Sequence, residues 1–224
     1  MNVLDNDAIG NSYPGGLEIK NGIVQGTTTA DFTGTGVLIM SGGLYQINVP
    51  TSTSIVPRLD GAYSLTGGVI ELNATADQTL RGNRDYFNLK ISGANITGID
   101  DKTLSDAITI SNNLEITGTP IFDTENKGMT GSAGLKMDGG RLRMAKLNTT
   151  LPELDATTIG QSYAITGGTI EWYGSNASQT HSLRGTYGLS NININYNNIE
   201  LNSTAANVAA LKANVGHFCV IPMF

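Results

Sequence analysis

Two stretches of this chain say nearly the same thing: Ser64–Gly82 reads SLTGGVIELNATADQTLRG, and Ala164–Gly185 reads AITGGTIEWYGSNASQTHSLRG. In each, a Gly-Gly pair precedes an alternating run. Ile70 and Leu72 flank Glu71 in the first, and Ile170 and Trp172 flank Glu171 in the second. A side-chain period of two puts the apolar residues on one face of a strand and the glutamate on the other. The glycines give the backbone access to positive φ where it turns. Each stretch therefore reads as a strand wet on one side, with a corner built in, and its duplication makes it a unit of architecture.

The likeness spreads outward from this block. QTLRG from Gln78 matches QTHSLRG from Gln179, and NLKISGANI from Asn88 is aligned with NININYNNI from Asn191. GVLIMSGGL from Gly36 recurs as AGLKMDGGR from Ala133, and Leu59-Asp60 returns as Leu154-Asp155. LEIKNGIVQG from Leu17 returns as LEITGTPIFD from Leu114, and the PIF at Pro120 as the PMF at Pro222. The period is about 100 residues, and repetition on this scale outranks local propensity in assigning a fold. The reading is one continuous domain over residues 1–224, with units at approximately 17–113 and 114–224. LDNDAIG near the start resembles LSDAITI from Leu104. Residues 1–16 thus read as the end of a preceding unit, and the chain as a window on a longer array.

Gly-Gly pairs at Gly15, Gly42, Gly67, Gly139 and Gly167, often 25 to 28 residues apart, mark a finer rhythm. The fold predicted is all-β, a parallel β-helix (β-solenoid) of roughly 25-residue coils, around nine in number. A single coil buries too little apolar surface to offset the entropy of ordering its backbone, whereas stacked coils share hydrogen bonds and a continuous interior. The competing architecture is two tandem immunoglobulin-like β-sandwiches. The short subperiod, the absence of a Cys-Trp-Cys framework and the lack of a linker between the units argue against it. Ser203–Val215, STAANVAALKANV, reads either as a short helix or as a degenerate coil.

Composition agrees and excludes some partners. The 28 glycines and 14% charged residues suit short strands and turns. A net charge of −6 advertises no basic surface, so neither nucleic acid nor an anionic membrane is an expected partner. No apolar run approaches the roughly 20 residues of a membrane span. The single cysteine, Cys219, cannot form an intrachain disulfide and leaves the redox compartment open.

No catalytic, cofactor-binding or metal-binding residue is assigned. Residues that support a coil recur in register, whereas catalytic residues occur once, and Glu71 with Glu171, Asp60 with Asp155 and Arg81 with Arg184 all recur. Turn support or surface solvation is their expected task, and Asn side chains in SNNLEITG and NININYNN suit ladders along the stack. Asp100 and Asp101 lack the remaining oxygen ligands of a calcium loop. His181 and His217 have no partner at zinc-ligand spacing. Arg141 and Arg143, with Lys136 and Lys146 nearby, form a basic stripe that suits an acidic glycan or simply a wet strand face. Trp172 shares the inward parity of Leu72 and reads as core, with Tyr173 beside it. The triplet Asn73–Thr75 matches a glycosylation pattern that an Asn- and Thr-rich chain also makes by chance.

GGTIEWYGSNASQT followed by LSNININ, and GGVIELNATADQT followed by YFNLKIS, resemble the β-strand repeats of very large secreted surface proteins of Bacteroidota. The shared pattern is Gly-Gly, an Ile-Glu strand, a Gln-Thr turn and Asn-Leu-x-Ile, covering about half of each unit. The resemblance implies export by the type IX system to the cell surface and an adhesin-like or structural role, without catalytic residues. A non-enzymatic spacer or display scaffold is thus the expected function, with neighbouring repeats, copies end to end and surface glycans as partners. A polysaccharide-processing β-helix enzyme or a glycan-binding module is the alternative, because fold alone does not fix function.

Overall fold

The computed structural model describes residues 2–4, 15–26, 31–49, 55–93, 101–146, 150–158, 160–174, 182–203 and 212–213. Among them there is no helix, and strands stack in parallel as a β-solenoid rather than as two sandwiches. Two long ladders carry the stack. The first runs through Ile23–Gln25, then parts of Leu38–Ile47, Tyr63–Leu72, Arg84–Ile91, Ile108–Ile116, Gly134–Met144 and Tyr163–Gly174. The second runs through Ile55–Val56, Gln78–Leu80, Asp101–Leu104, Ile121–Asp123, the later parts of Gly134–Met144 and Tyr163–Gly174, and Asn198–Ser203. Each ladder has seven rungs, so six steps of about 4.8 Å raise it by about 29 Å. The described residues thus make about six turns, where the sequence leads one to expect around nine coils.

Shorter parallel ladders complete each coil, such as Leu17 with Leu38 with Tyr63, and Ile108 with Met129. The strand Lys212–Ala213 pairs in parallel with Ser182–Leu183, which places part of Ser203–Val215 in a coil. Only two pairings among the described strands are antiparallel, Asn2–Leu4 on Gly16–Ile19 and Thr186–Tyr187 with Ile192–Asn193.

The alternating runs behave as their parity requires. Tyr45, Ile70, Leu89, Leu114 and Leu135 succeed one another up the interior of the first ladder, all buried. Phe122, Leu142 and Ile170 do the same on the second, and Trp172 is 1% exposed. The Gly-Gly pairs at Gly42, Gly67, Gly139 and Gly167 are the corners between sides, and the ladder register slips there. Gly68 and Gly168 have φ of 76° and 77°. A Cβ on either would lie 2.6 or 2.3 Å from the carbonyl oxygen of the glycine one coil below, Gly42 or Gly139. Glycine is needed twice over, for conformation and for the closeness of the stack. The pair at Gly15 differs, since Gly16 opens its strand, Gly16–Ile19, whereas the other four pairs lie inside theirs.

Gln78 and Lys102 break the apolar interior. Gln78 is fully buried, donating to the carbonyls of Ile47 and Val49 at 2.8 and 3.0 Å while its Oε1 accepts from the Ala74 amide at 3.2 Å. Lys102, 1% exposed and opposite Gln78, donates to the carbonyls of Ala74 and Ala76. Both tie down backbone carbonyls where the chain bends away from the ladder.

The copies also share their clamps. Arg81 Nε donates to Pro57 O at 2.9 Å, and Arg184 Nε to Pro152 O at 2.8 Å. Tyr86 Oη donates to Arg81 O, and Tyr196 Oη to Arg184 O. This equivalence corrects one alignment. The strand around Asn88 corresponds to NIELN from Asn198, not to NININYNNI from Asn191: Asn88 and Asn198 both donate to the corner carbonyls, Gly68 O and Gly168 O, at 2.7 and 3.2 Å. The offset arises because Arg81 and Tyr86 are 5 residues apart and Arg184 and Tyr196 are 12, the surplus lying in the hairpin Thr186–Asn193.

The copies do not sit on the same side. Val24 is a first-ladder rung, and four steps along that ladder, through Tyr45, Ile70 and Leu89, lead to Leu114. Its counterpart, Phe122, lies one side further on, in the second ladder. A unit is therefore four coils and one side, and each copy is turned by one side relative to the last.

Candidate functional site

Among the described residues, the outward positions of the second ladder hold the densest group of charged side chains. Arg143 and Glu171 are ladder partners, with Asp123 below and Glu200 above. Arg143 meets Asp123 at 3.0 Å, Glu171 at 2.9 Å and Asp101 at 3.9 Å. Arg141 bridges Glu171 at 3.0 Å and Glu200 at 2.5 Å. Tyr173 Oη donates to Asp123 at 2.6 Å, and the Arg143 guanidinium stands 4.5 Å from the centre of the Tyr173 ring.

Electrostatics bind this group to itself. Partial burial disfavours the Arg141 charge, but hydrogen bonds to Glu200 and Glu171 outweigh it and raise its pKa. Arg143 is raised likewise, with Asp123 and then Glu171 overcoming burial. Burial, and then the hydrogen bond to Asp123, push the Tyr173 phenol up. Two guanidiniums face four carboxylates, so the stripe that reads as basic in sequence carries no surplus positive charge. Of the remaining members, Lys146 is paired with Glu153 at 2.8 Å, and Lys136 is exposed. An acidic glycan would have to displace carboxylates to reach either arginine.

The first copy shows which part of this is architecture. Glu71 accepts from Gln46 at 2.8 Å on the rung below and from Ser92 at 2.7 Å on the rung above. Glu171 accepts from the equivalent positions, Arg143 below and Asn202 above, the latter at 3.2 Å. The recurring glutamate is thus a rung-to-rung tie. It is not solvated, as the wet parity suggests: Glu71 and Glu171 are 6% and 3% exposed, because neighbours from both adjacent coils fold over them. Lys90 stands 3.5 Å from both Glu71 and Glu115, and their charges outweigh its partial burial and raise its pKa.

The other recurring residues have structural tasks. Asp60 pairs with Arg81 at 2.6 Å, and Asp155 accepts from Thr157. An Asn ladder forms where SNNLEITG leads one to look: Asn112 Nδ2 donates to Asn88 Oδ1 at 2.7 Å, and Gln161 Nε2 to Asn112 Oδ1 at 3.2 Å. Asn197 and Asn198 of NININYNN donate to Gly168 O. Asp101 is drawn toward Arg143, while Asp100, His181, His217, Cys219 and Pro222 lie outside the described residues.

Among the described residues no three His, Cys, Asp or Glu side chains are placed to hold a metal ion. The hollow lined by Met40, Leu65, Gly67, Gly68, Ile70, Phe87 and Asn88 has no room for a water molecule. Any ligand of this group would lie on an open sheet. Comparison of the chain with protein-family models, with curated proteins and with solved structures finds no match.

Proposed function

We propose that the chain is a non-enzymatic segment of a secreted bacterial surface protein, an adhesin or surface filament, where it serves as an elongated spacer and display scaffold. The observation that carries this reading is the continuity of the ladder across the boundary between copies, Leu89 lying opposite Leu114 as any two rungs do. A stack joined in this way lengthens by adding units without changing its core. Because each unit turns by one side, a surface feature repeated in every unit would be offered to successive directions around the axis. The resemblance to Bacteroidota repeats supports type IX export and a cell-exterior location, with neighbouring repeats, copies end to end and surface glycans as partners. Antibody labelling of intact cells that carry this protein tests the reading: the scaffold role expects surface signal that external protease removes, and signal only after lysis would overturn it.

One observation favours a second reading, a polysaccharide-processing enzyme or glycan-binding module. The group of Asp101, Asp123, Arg141, Arg143, Glu171, Tyr173 and Glu200 gathers acids, bases and a ring on one exposed sheet, and the first copy has Gln46 and Lys90 where this group has Arg143 and Glu200. Incubation with a panel of acidic and neutral polysaccharides separates the readings. The scaffold expects no cleavage, whereas cleavage abolished by Glu171→Gln in a folded protein would replace it.

A further inference from the structure

Eleven residues join the clamp residues Arg184 and Tyr196 in the second copy, where four join Arg81 and Tyr86 in the first. A coil therefore closes without the surplus, and the hairpin Thr186–Asn193 is not what holds the stack together. It is anchored all the same. Its strands, Thr186–Tyr187 and Ile192–Asn193, pair only with each other among the described residues, and a free two-stranded hairpin is marginal in water. Here the Tyr187 ring lies 5.4 Å from that of Tyr163, Gly188 N donates to Asp155 O at 2.9 Å, and Ile194 N donates to Gly185 O at 2.9 Å. The solenoid thus holds out a fixed tip.

Gly185–Ile199, which includes this tip, contains no charged residue. Asn191, Asn193 and Asn195 alternate with Ile192 and Ile194; Ile194 turns into the interior, and the three asparagines are exposed. Elsewhere the amides are in use, since Asn88, Asn112, Asn113, Asn197, Asn198 and Asn202 all donate within the stack. The side chains of Asn191, Asn193 and Asn195 make no hydrogen bond to any described residue. Asparagine is also a poor strand former, so neither propensity nor the stack accounts for the three. Beside them Leu189 is 81% exposed and Ile192 50%.

We propose that this hairpin is a binding element for a neutral polysaccharide. The proposal rests on the scaffold reading and names what the scaffold displays. An amide sets a carbonyl acceptor beside N–H donors, the complement of neighbouring sugar hydroxyls, which donate and accept in turn. Leu189 and Ile192 offer apolar surface to the C–H faces of a sugar ring. An ionic ligand finds no counter-charge on the tip. A protein partner fits less well, because protein interfaces are anchored by aromatic or arginine side chains. Both rings of the segment are committed: Tyr187 lies against Tyr163, and Tyr196 donates to Arg184 O with its ring 6.4 Å from Trp172. With no ring free to stack on a sugar, binding is weak.

Native gels cast with dextran, mannan, laminarin or galactan, and with alginate or pectate as acidic probes, test this. Retardation by at least one neutral polymer, equal at low and high salt, is expected. Asn191→Ala, Asn193→Ala and Asn195→Ala together should weaken it by roughly tenfold or more. Replacing residues 185–195 with the sequence of Gly82–Asp85 should abolish it and leave the unfolding transition in place, because the first copy closes with that link; if the replacement does not fold, the triple variant decides. Retardation that survives these changes, that is confined to the acidic polymers, or that is absent throughout would overturn the proposal. So would equal binding of a mannan-bearing glycoprotein before and after removal of its glycans, which would make the tip a protein-binding element. None of these outcomes touches the scaffold reading, which falls with the surface labelling of intact cells instead.

Discussion

Ile70 and Ile170 occupy the same place in two copies of one sequence, yet they stand on different sides of the solenoid. Ile70 lies between Tyr45 and Leu89 on the first ladder, and Ile170 between Leu142 and Ile199 on the second. The same inward side chain is thus buried by different neighbours, and the same outward glutamate, one residue later, meets different charges. What recurs is the stack, and what differs is its surface.

The corner glycines should be the least tolerant positions. Gly68→Ala and Gly168→Ala each force a side chain into positive φ and onto a carbonyl one coil below. Each should lose about 2–4 kcal/mol in denaturant unfolding. Gly22→Ala, at φ 77° but with open space around it, should lose about 1 kcal/mol.

Gln78→Leu removes the buried amide that serves Ile47, Val49 and Ala74. Groups orphaned away from water cost about 1–3 kcal/mol each, so a loss of at least about 2 kcal/mol is expected in the same assay. Retained stability would mean that water reaches this bend.

Glu171→Gln and Glu71→Gln separate tie from charge. Both variants keep the shape of the side chain. Glu171 loses attraction to Arg141 and Arg143, while Glu71 is tied at hydrogen-bond distance mainly by neutral Gln46 and Ser92. Unfolding should show the Glu171 variant weakened by about 2 kcal/mol or more and the Glu71 variant by about 1 kcal/mol.

Much of the interior is legible in sequence because parity is local: Ile70, Leu72, Leu89 and Ile91 declare their face without knowledge of the fold. The corners are legible for the same reason, since Gly-Gly is a local signal. The turn of one side per unit is not, because it appears only when rungs are counted around the stack. Asn198 hides behind Asn191 because the hairpin Thr186–Asn193 inserts similar Asn-rich sequence before the true counterpart. Lys102 reads as an ordinary surface charge, and only the bend carbonyls of Ala74 and Ala76 explain its burial. The arginines at 141 and 143 read as free because all four of their carboxylate partners, Asp101, Asp123, Glu171 and Glu200, lie on other strands, Glu171 being 30 and 28 residues away.

Alkali should unfold this protein by way of its phenols. Tyr45, Tyr63, Tyr86, Tyr163, Tyr173 and Tyr196, six of the eight tyrosines, are held above the ordinary value of 10.0, with burial the main cause in each and Tyr63 pushed up to about 12. The folded state holds these protons more tightly than the unfolded chain does. Their stabilisation is complete below pH 10 and is lost as pH rises toward the folded values. Tyrosinate absorbance from these six should therefore rise only with unfolding seen by circular dichroism. Ionisation of these six near pH 10 in a folded protein would contradict this.

The account depends most on the rung at which one copy passes into the next. Lys90 and Glu115 are partners there, in parallel strands of different copies. With Cys219 replaced by serine, Lys90→Cys and Glu115→Cys should close into an intrachain disulfide on mild oxidation, detected by mass spectrometry as the loss of two free thiols with the circular dichroism spectrum unchanged. Two thiols that stay reduced in the folded monomer would mean that the copies do not stack, and the solenoid and the scaffold built from it would fall together.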